Sequence, residues 1–237
     1  MIRFLGYLAF ISGLIVFFIT LGPLIQVEFN YRKDALFGVK HTLPKVVISE
    51  QPHLSEGQPA PPVSFGNLSV SAQTIVPIST DFGIVIEKIN ANAKVVANVN
   101  PASERDYTNA LTQGVAHAFG TNFPGEKGNI YLFSHSTDAP WNIIRYNAIF
   151  YLLRELEKGD KVVMFYNGRR FDYVVYDKTV AEANDISFIT NKYDKSVLTL
   201  QTCDPPGTLF KRLIVRAQLE GEWYTRGMSK RFIFTLA

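Results

Sequence analysis

From Phe4 to Val27 the chain carries no charged residue. As a helix, such a run rises about 36 Å at about 1.5 Å per residue, enough to cross a hydrocarbon core of roughly 30 Å. It is longer than the roughly 7–15 apolar residues of a signal-peptide core, and no small-x-small cleavage site follows. An uncleaved transmembrane anchor over residues 4–27 is therefore expected, in preference to a cleaved leader. Residues 28–80 read as an extended tether, because the stretch 51–66, QPHLSEGQPAPPVSFG, is rich in proline, serine, glycine and glutamine and offers nothing to bury. The divisions expected are an anchor over 1–27, a tether over 28–80 and a folded domain over 81–237.

Within the domain the apolar residues fall into short β-branched runs punctuated by turn residues. Ile84–Ile86, Ile89 and Val95–Val99 supply the first, with Asn90–Asn92 and Asn98–Asn100 as turns. Gly114–Phe119 and the fully apolar Ile130–Phe133 follow as strands. Trp141 to Glu157 carries Ile144, Ala148, Tyr151, Leu152 and Leu156 at three- and four-residue spacing, which predicts the best helix of the domain, ended at Gly159-Asp160. Lys161–Tyr166 and Arg170–Asp177 are joined by Asn167-Gly168, a strong hairpin signal. Val180–Ile189 reads as a short strand and loop. Val197–Thr202 and Leu213–Leu219 flank a Pro205-Pro206-Gly207 turn. Seven or eight strands joined mostly by short turns, with one clear helix, favour a closed or nearly closed β-barrel.

Composition supports a real core: 47% of the 237 residues are hydrophobic, with 18 Phe and 11 Tyr. The net charge of +3 is mild, and no basic run with interleaved aromatics occurs, which excludes nucleic acid as an expected partner. Arg3 on one side of the apolar run faces Arg32 and Lys33 on the other, so charge bias alone does not orient it. The single cysteine is compatible with either redox compartment.

That cysteine, Cys203, ends an apolar run at the mouth of a turn. A lone cysteine is ordinarily a small buried hydrophobe; at a strand end it is also a held and reachable nucleophile. Only His135, just after Ile130–Ser134, or His117, inside a strand-like run, is placed to approach it, and sequence alternation does not choose between them. Arg212 and Arg216 share strand parity, and either offers a planar fork of donors to a developing oxyanion. No C-x-x-C, H-E-x-x-H, phosphate-binding glycine loop or G-x-S-x-G elbow is present, so neither metal nor cofactor is expected and a serine hydrolase is unsupported.

Taken together these segments resemble the sortases. Thr199-Leu200-Gln201-Thr202-Cys203 resembles their TLxTC signature. Asp204–Thr208 followed by Lys211–Val215 resembles the loop and strand bearing their arginine. Gly114–His117 and Phe123–Asn129 resemble the lead-in to the histidine at the end of Ile130–His135, and Leu153–Asp160 resembles the L-x-x-G-D stretch beyond it. The likeness covers about residues 81–237. Two features depart from the pattern: Ser134 stands where members often have glycine, and residues 221–237, with Glu222, Arg226, Lys230 and Arg231, do not form the second apolar anchor usual in the pilin-polymerising branch. A housekeeping or class D/E-like member is expected instead.

The resemblance implies a mainly β fold, an eight-stranded sortase-like barrel with one or two short helices, behind the N-terminal transmembrane helix. It implies a single-pass protein of the bacterial cell membrane with an extracytoplasmic catalytic domain. Cys203 would be the nucleophile, His135 the general acid and base, Arg212 the oxyanion partner, Arg216 its reserve, and Thr202 a supporting residue. The implied reaction cleaves an LPxTG-like sorting signal through a thioacyl-enzyme and passes the protein to an amine of the cell wall or of a surface protein. No calcium site is assigned. The rivals are a catalytically degenerate, membrane-tethered peptide-binding domain and a hydrolase that uses water as acceptor.

Overall fold

The computed structural model describes residues 2–43, 74–136 and 149–224. Its strands are β1 (Phe82–Ile86), β2 (Ala91–Val99), β3 (Val115–Ala118), β4 (Gly128–Phe133), β5 (Lys161–Tyr166), β6 (Arg169–Glu182), β7 (Ser196–Asp204) and β8 (Lys211–Tyr224). They close into a barrel in the order β1-β2-β3-β4-β7-β8-β6-β5. Closure is made by β1, where Ile84 lies opposite both Ala93 of β2 and Met164 of β5. The pairs β2–β3 and β4–β7 are parallel; the other pairs are antiparallel. The closed barrel favoured by the strand pattern, with the eight strands that the resemblance implied, is the fold.

Each strand forms where its residues offer a face to bury. Ile84, Ile86, Ile130, Leu132, Leu198 and Leu200 project into one core with Phe171 and Tyr173. β1 is apolar along its whole length because its outer face is covered too. There Val85, Val163 and Phe165 pack with Leu43 and Ile75 from outside the barrel. The hairpin between β5 and β6 turns through Asn167 (φ 49°) and Gly168 (φ 70°), both left-handed, as a two-residue turn of matching twist requires.

The domain departs from the sequence reading at three places. Of the helix expected over Trp141–Glu157, residues 141–148 lie outside the described residues, and the remainder is a 3₁₀ helix over Tyr151–Glu155. Phe150, Leu152, Leu153 and Leu156 are all buried while Arg154 reaches solvent, and a tight 3₁₀ turn places these apolar groups on more than one side. Helix α2 (Glu104–Leu111), which was not expected, starts at Ser103, whose hydroxyl accepts from the Asp106 backbone N–H at 3.3 Å. Acidic residues fill its first turn, and it lays Ala110 and Leu111 on Val99 and Ala116. The stretch expected as a short strand and loop over Val180–Ile189 divides between the end of β6 and a one-turn helix, α3 (Ser187–Thr190).

The N-terminal helix α1 spans Ile2–Phe37, ten residues past the expected end of the anchor. Its end and the following turn dock on the barrel. Tyr31 packs against the core, the Leu43 N–H donates to Glu87 Oε1 at 2.6 Å, and Thr42 bridges Thr74. Residues 28–43 are thus built onto the domain; the proline-rich 51–66 lies outside the described residues. Among the described residues, no helix is long and apolar enough to cross a membrane.

Candidate active site

The parallel pairing of β4 and β7 sets the site. Phe133 lies opposite Gln201, and two further residues along each strand stand His135 and Cys203. Two hydrogen bonds hold that continuation in place. The Ser134 N–H donates to the Gln201 carbonyl at 3.2 Å, and Thr202 Oγ1 donates to the Ser134 carbonyl at 3.0 Å. Thr202 is buried, so this bond also satisfies a hydroxyl that would otherwise be stranded. On the other side β7 pairs with β8, and Cys203 stands directly opposite Arg212. The strands therefore bring Cys203, His135 and Arg212 to one end of the β4–β7–β8 sheet.

Alternation decides which way the residues face. Leu198 and Leu200 enter the core, so Thr199, Gln201 and Cys203 line the outer face. Their cross-strand partners share that face: Tyr131 and Phe133 on β4, and Arg212, Ile214 and Arg216 on β8. Two polar pairs span β4 and β7 below the cysteine. The Tyr131 hydroxyl donates to Gln201 Oε1. Thr199 Oγ1 donates to Asn129 Oδ1 at 2.7 Å, while Asn129 Nδ2 donates to the carbonyls of Phe188 (2.8 Å) and Ile189 (3.2 Å). That ties the β6–β7 connection down as one wall of the face. The β7–β8 connection forms the other, with Leu209 and Phe210 exposed at its tip.

Cys203 is half-buried, and burial pushes its thiol above the ordinary cysteine range. The Arg212 charge opposes that shift without cancelling it. Arg212 Nη1 donates to the backbone carbonyls of Leu209 (3.2 Å) and Lys211 (3.0 Å), which fixes the root of the guanidinium against its own loop.

The two residues that sequence could not separate from their rivals take other duties. His117 is fully buried in the barrel. Its Nδ1 accepts from the Asn98 N–H at 3.3 Å, so its Nε2 carries the proton and donates to the Asn122 carbonyl at 3.0 Å. Burial holds its pKa below the usual imidazole range. It is a satisfied sheet residue, edge-on to Phe82 and tilted against Phe123. Arg216, the reserve for Arg212, is engaged by Asp177 through Nε (3.0 Å) and Nη2 (2.7 Å), and by the Tyr193 hydroxyl through Nη1 (3.3 Å). Four residues from Arg212 along β8, it braces β6 and the β6–β7 connection.

Among the described residues, no group of three or more His, Cys, Asp or Glu is placed to hold a metal ion. Sequence reasoning passed over Tyr131, Gln201 and Asn129. The signal was present: Asn129, Tyr131 and Phe133 alternate with Ile130 and Leu132, and two polar groups within an apolar strand mark its outer face as covered or used.

Fold and site together define a closed β-barrel carrying a thiol, an imidazole and a guanidinium on neighbouring strand ends. The chain belongs to the sortase family, whose members are cysteine transpeptidases: the family's model, described as a sortase domain, matches residues 84–220. Over 133 residues it is 29% identical to sortase D of Bacillus subtilis (strain 168), an alignment covering 55% of this chain and 59% of that protein. The class D-like reading agrees with that likeness. Among solved structures, sortase A from Corynebacterium diphtheriae superposes with a TM-score of 0.50 at 24% identity, covering 60% of each chain. Sortase C-1 from Actinomyces oris gives a TM-score of 0.49 at 27% identity, covering 60% of this chain and 75% of that one.

Proposed function

We propose that this chain is a membrane-anchored cysteine transpeptidase that cuts an LPxTG-like sorting signal and joins the released acyl group to an amine of the cell wall or of a surface protein. One observation carries the reading: the β4–β7–β8 register brings Cys203 opposite Arg212 and level with His135. Three residue types that acyl transfer needs meet where a peptide strand can reach them.

In this mechanism the resting pair is a neutral thiol and an imidazole. The proton leaves Cys203 for His135 as the sulfur attacks the threonine carbonyl of the bound signal. A C–S bond forms, and Arg212 stabilises the oxyanion with the part of its fork not tied to Leu209 and Lys211. The tetrahedral intermediate collapses, the C–N bond breaks, and His135 delivers its proton to the departing amine. An incoming amine then attacks the thioester and gives a proton to His135; the new C–N bond forms, the C–S bond breaks, and His135 returns the proton to the departing sulfur as the thiol. Thr202 supports the site by holding the Ser134 carbonyl, and with it the strand end that carries His135.

Anchoring over residues 4–27 is supported by the character of α1. Phe4, Ile19, Val16, Phe17, Phe10 and Tyr7 are all exposed and follow one another round the circumference of a helix that is uncharged over 4–27. A helix that is apolar all round is at home inside a large core or a bilayer, not in water. We place the catalytic barrel on the outer side of a bacterial cell membrane, where sorting signals and wall amines occur.

The test is cleavage of a panel of sorting peptides with and without a primary amine. Wild type is expected to release the leaving peptide and, with amine present, to form the ligated product, while Cys203→Ala does neither. Equal cleavage by both proteins would refute a Cys203 mechanism. A product ratio indifferent to added amine would favour a hydrolase, and peptide binding without cleavage a degenerate binding domain.

A further inference from the structure

We infer that Gln201 is a substrate-binding residue and Tyr131 the positioning residue that aims it: the Gln201 carboxamide, clamped through its oxygen, presents its N–H₂ to a backbone carbonyl of the peptide lying on the outer face of β4 and β7. The inference rests on the transpeptidase reading above and names how that same site grips its substrate.

The geometry is specific to these two side chains. Gln201 and Cys203 are two residues apart on β7, so they share a face about 6.4–6.8 Å apart along the strand. That is the spacing of alternate residues in an extended peptide laid beside it. The Tyr131 hydroxyl donates to Gln201 Oε1, which uses the carboxamide oxygen and fixes the plane of the amide. The Gln201 nitrogen has no hydrogen-bond partner among the described residues, and the side chain is half-buried. A carboxamide with its acceptor satisfied and its donors open is half of a hydrogen-bonded pair. Its natural complement on a peptide strand is a main-chain carbonyl.

Tyr131 suits the positioning role. It comes from the adjacent strand β4 and is itself buried, so its ring does not wander. Its hydroxyl stands within electrostatic reach of both Arg212 and Asp185, which places it between the two loops that wall the face. Burial keeps the phenol protonated well beyond physiological pH, so it stays a donor throughout the working range. Exchanging glutamine for glutamate keeps the acceptor that Tyr131 binds but removes the outward donor. The two functions of the side chain can thus be separated by one nearly isosteric change.

The experiment measures kcat and KM on a cleavable sorting peptide for wild type, Gln201→Leu, Gln201→Glu and Tyr131→Phe. Each peptide is supplied as the all-amide form and as a set with single thioamides, whose sulfur is a poorer acceptor than oxygen. Loss of one neutral hydrogen bond is expected to raise KM about five- to tenfold, with kcat within about twofold, in Gln201→Leu and at least as much in Gln201→Glu. Tyr131→Phe should give a smaller rise of the same kind. In wild type one thioamide position should raise KM, and in Gln201→Leu that position should lose its effect, a pattern that a merely structural role would not produce. An unchanged KM in both Gln201 variants, or the same thioamide sensitivity in wild type and Gln201→Leu, overturns the inference. Either result leaves the Cys203 chemistry standing, because the reading beneath it fails only if Cys203→Ala still cleaves.

Discussion

At the scale of single residues, the account makes the cysteine reluctant to ionise until substrate arrives. Burial raises the Cys203 pKa and the nearby guanidinium only partly offsets it. The rate of alkylation by a small uncharged reagent should therefore rise with pH through an inflection above that of a free cysteine, near 8.5. In Arg212→Ala the inflection should move higher still, since the lowering influence of the guanidinium is gone. An inflection below the free-cysteine value would mean a preformed thiolate–imidazolium pair and would contradict the resting state proposed. The two arginines of β8 should separate cleanly. Arg212→Ala is expected to lower kcat about 10²–10³-fold with little change in Tm, as loss of an oxyanion donor does. Arg216→Ala breaks the contacts to Asp177 and Tyr193, so it should lower Tm while leaving the chemical step nearly intact. Kinetics and thermal melts on the same two variants check both statements. Thr202→Val strands the buried Ser134 carbonyl, at a cost of about 1–3 kcal/mol in unfolding free energy by denaturant titration.

At the scale of elements, what sequence revealed follows from which forces act locally. The strands were legible because a barrel strand buries alternate residues, or every residue where something covers it, and Ile84–Ile86, Ile130–Phe133 and Val197–Thr202 carry that pattern openly. The β5–β6 hairpin was legible because Asn167-Gly168 sets its turn by backbone sterics alone. Helix α2 had a visible start in Ser103 and Asp106, but its short, mostly polar sequence gave little apolar stripe to find. The 3₁₀ piece over Tyr151–Glu155 was misread as helix because its leucines are spaced like a stripe, while the barrel end buries them on more than one side. Cys203, His135 and Arg212 were each visible as strand-end residues, and their order along the chain matched a known pattern. Their adjacency was not visible, because it depends on the parallel pairing of β4 with β7 across more than sixty residues. The contact between Tyr131 and Gln201 stayed hidden for the same reason, although the alternation along β4 marked the face they share. One element-scale consequence is open to test. Asn129→Leu removes the donor that ties Phe188 and Ile189 to β4, so the β6–β7 connection should exchange its amide hydrogens faster while those of β4 and β7 stay protected.

At the scale of the molecule, the chain is a barrel with its N-terminal helix docked on one face. The docked stretch from Tyr31 to Leu43 shortens the free connection between helix and barrel, and Thr74 and Ile75 meet it there, Thr74 bridging Thr42 and Ile75 packing with Leu43 on β1 and β5. Stability should also carry the signature of a neutral imidazole locked in the core. His117 has its pKa lowered on folding, so the unfolded chain binds the proton more readily. Its contribution is complete above the unfolded imidazole's pKa of about 6.5 and declines as pH falls below it toward the lower folded value. His117→Gln should remove that part of the slope between about pH 6.5 and 5, as read from denaturant titrations of the two proteins at each pH. The central claim, a sulfur at the end of β7 that takes up an acyl group, is tested most directly by intact-protein mass spectrometry with a sorting peptide and no amine. The account predicts a mass increase equal to the acyl half of the peptide, mapped to Cys203 and absent in Cys203→Ala. Cleavage with the adduct on another residue, or unaltered in Cys203→Ala, would contradict it.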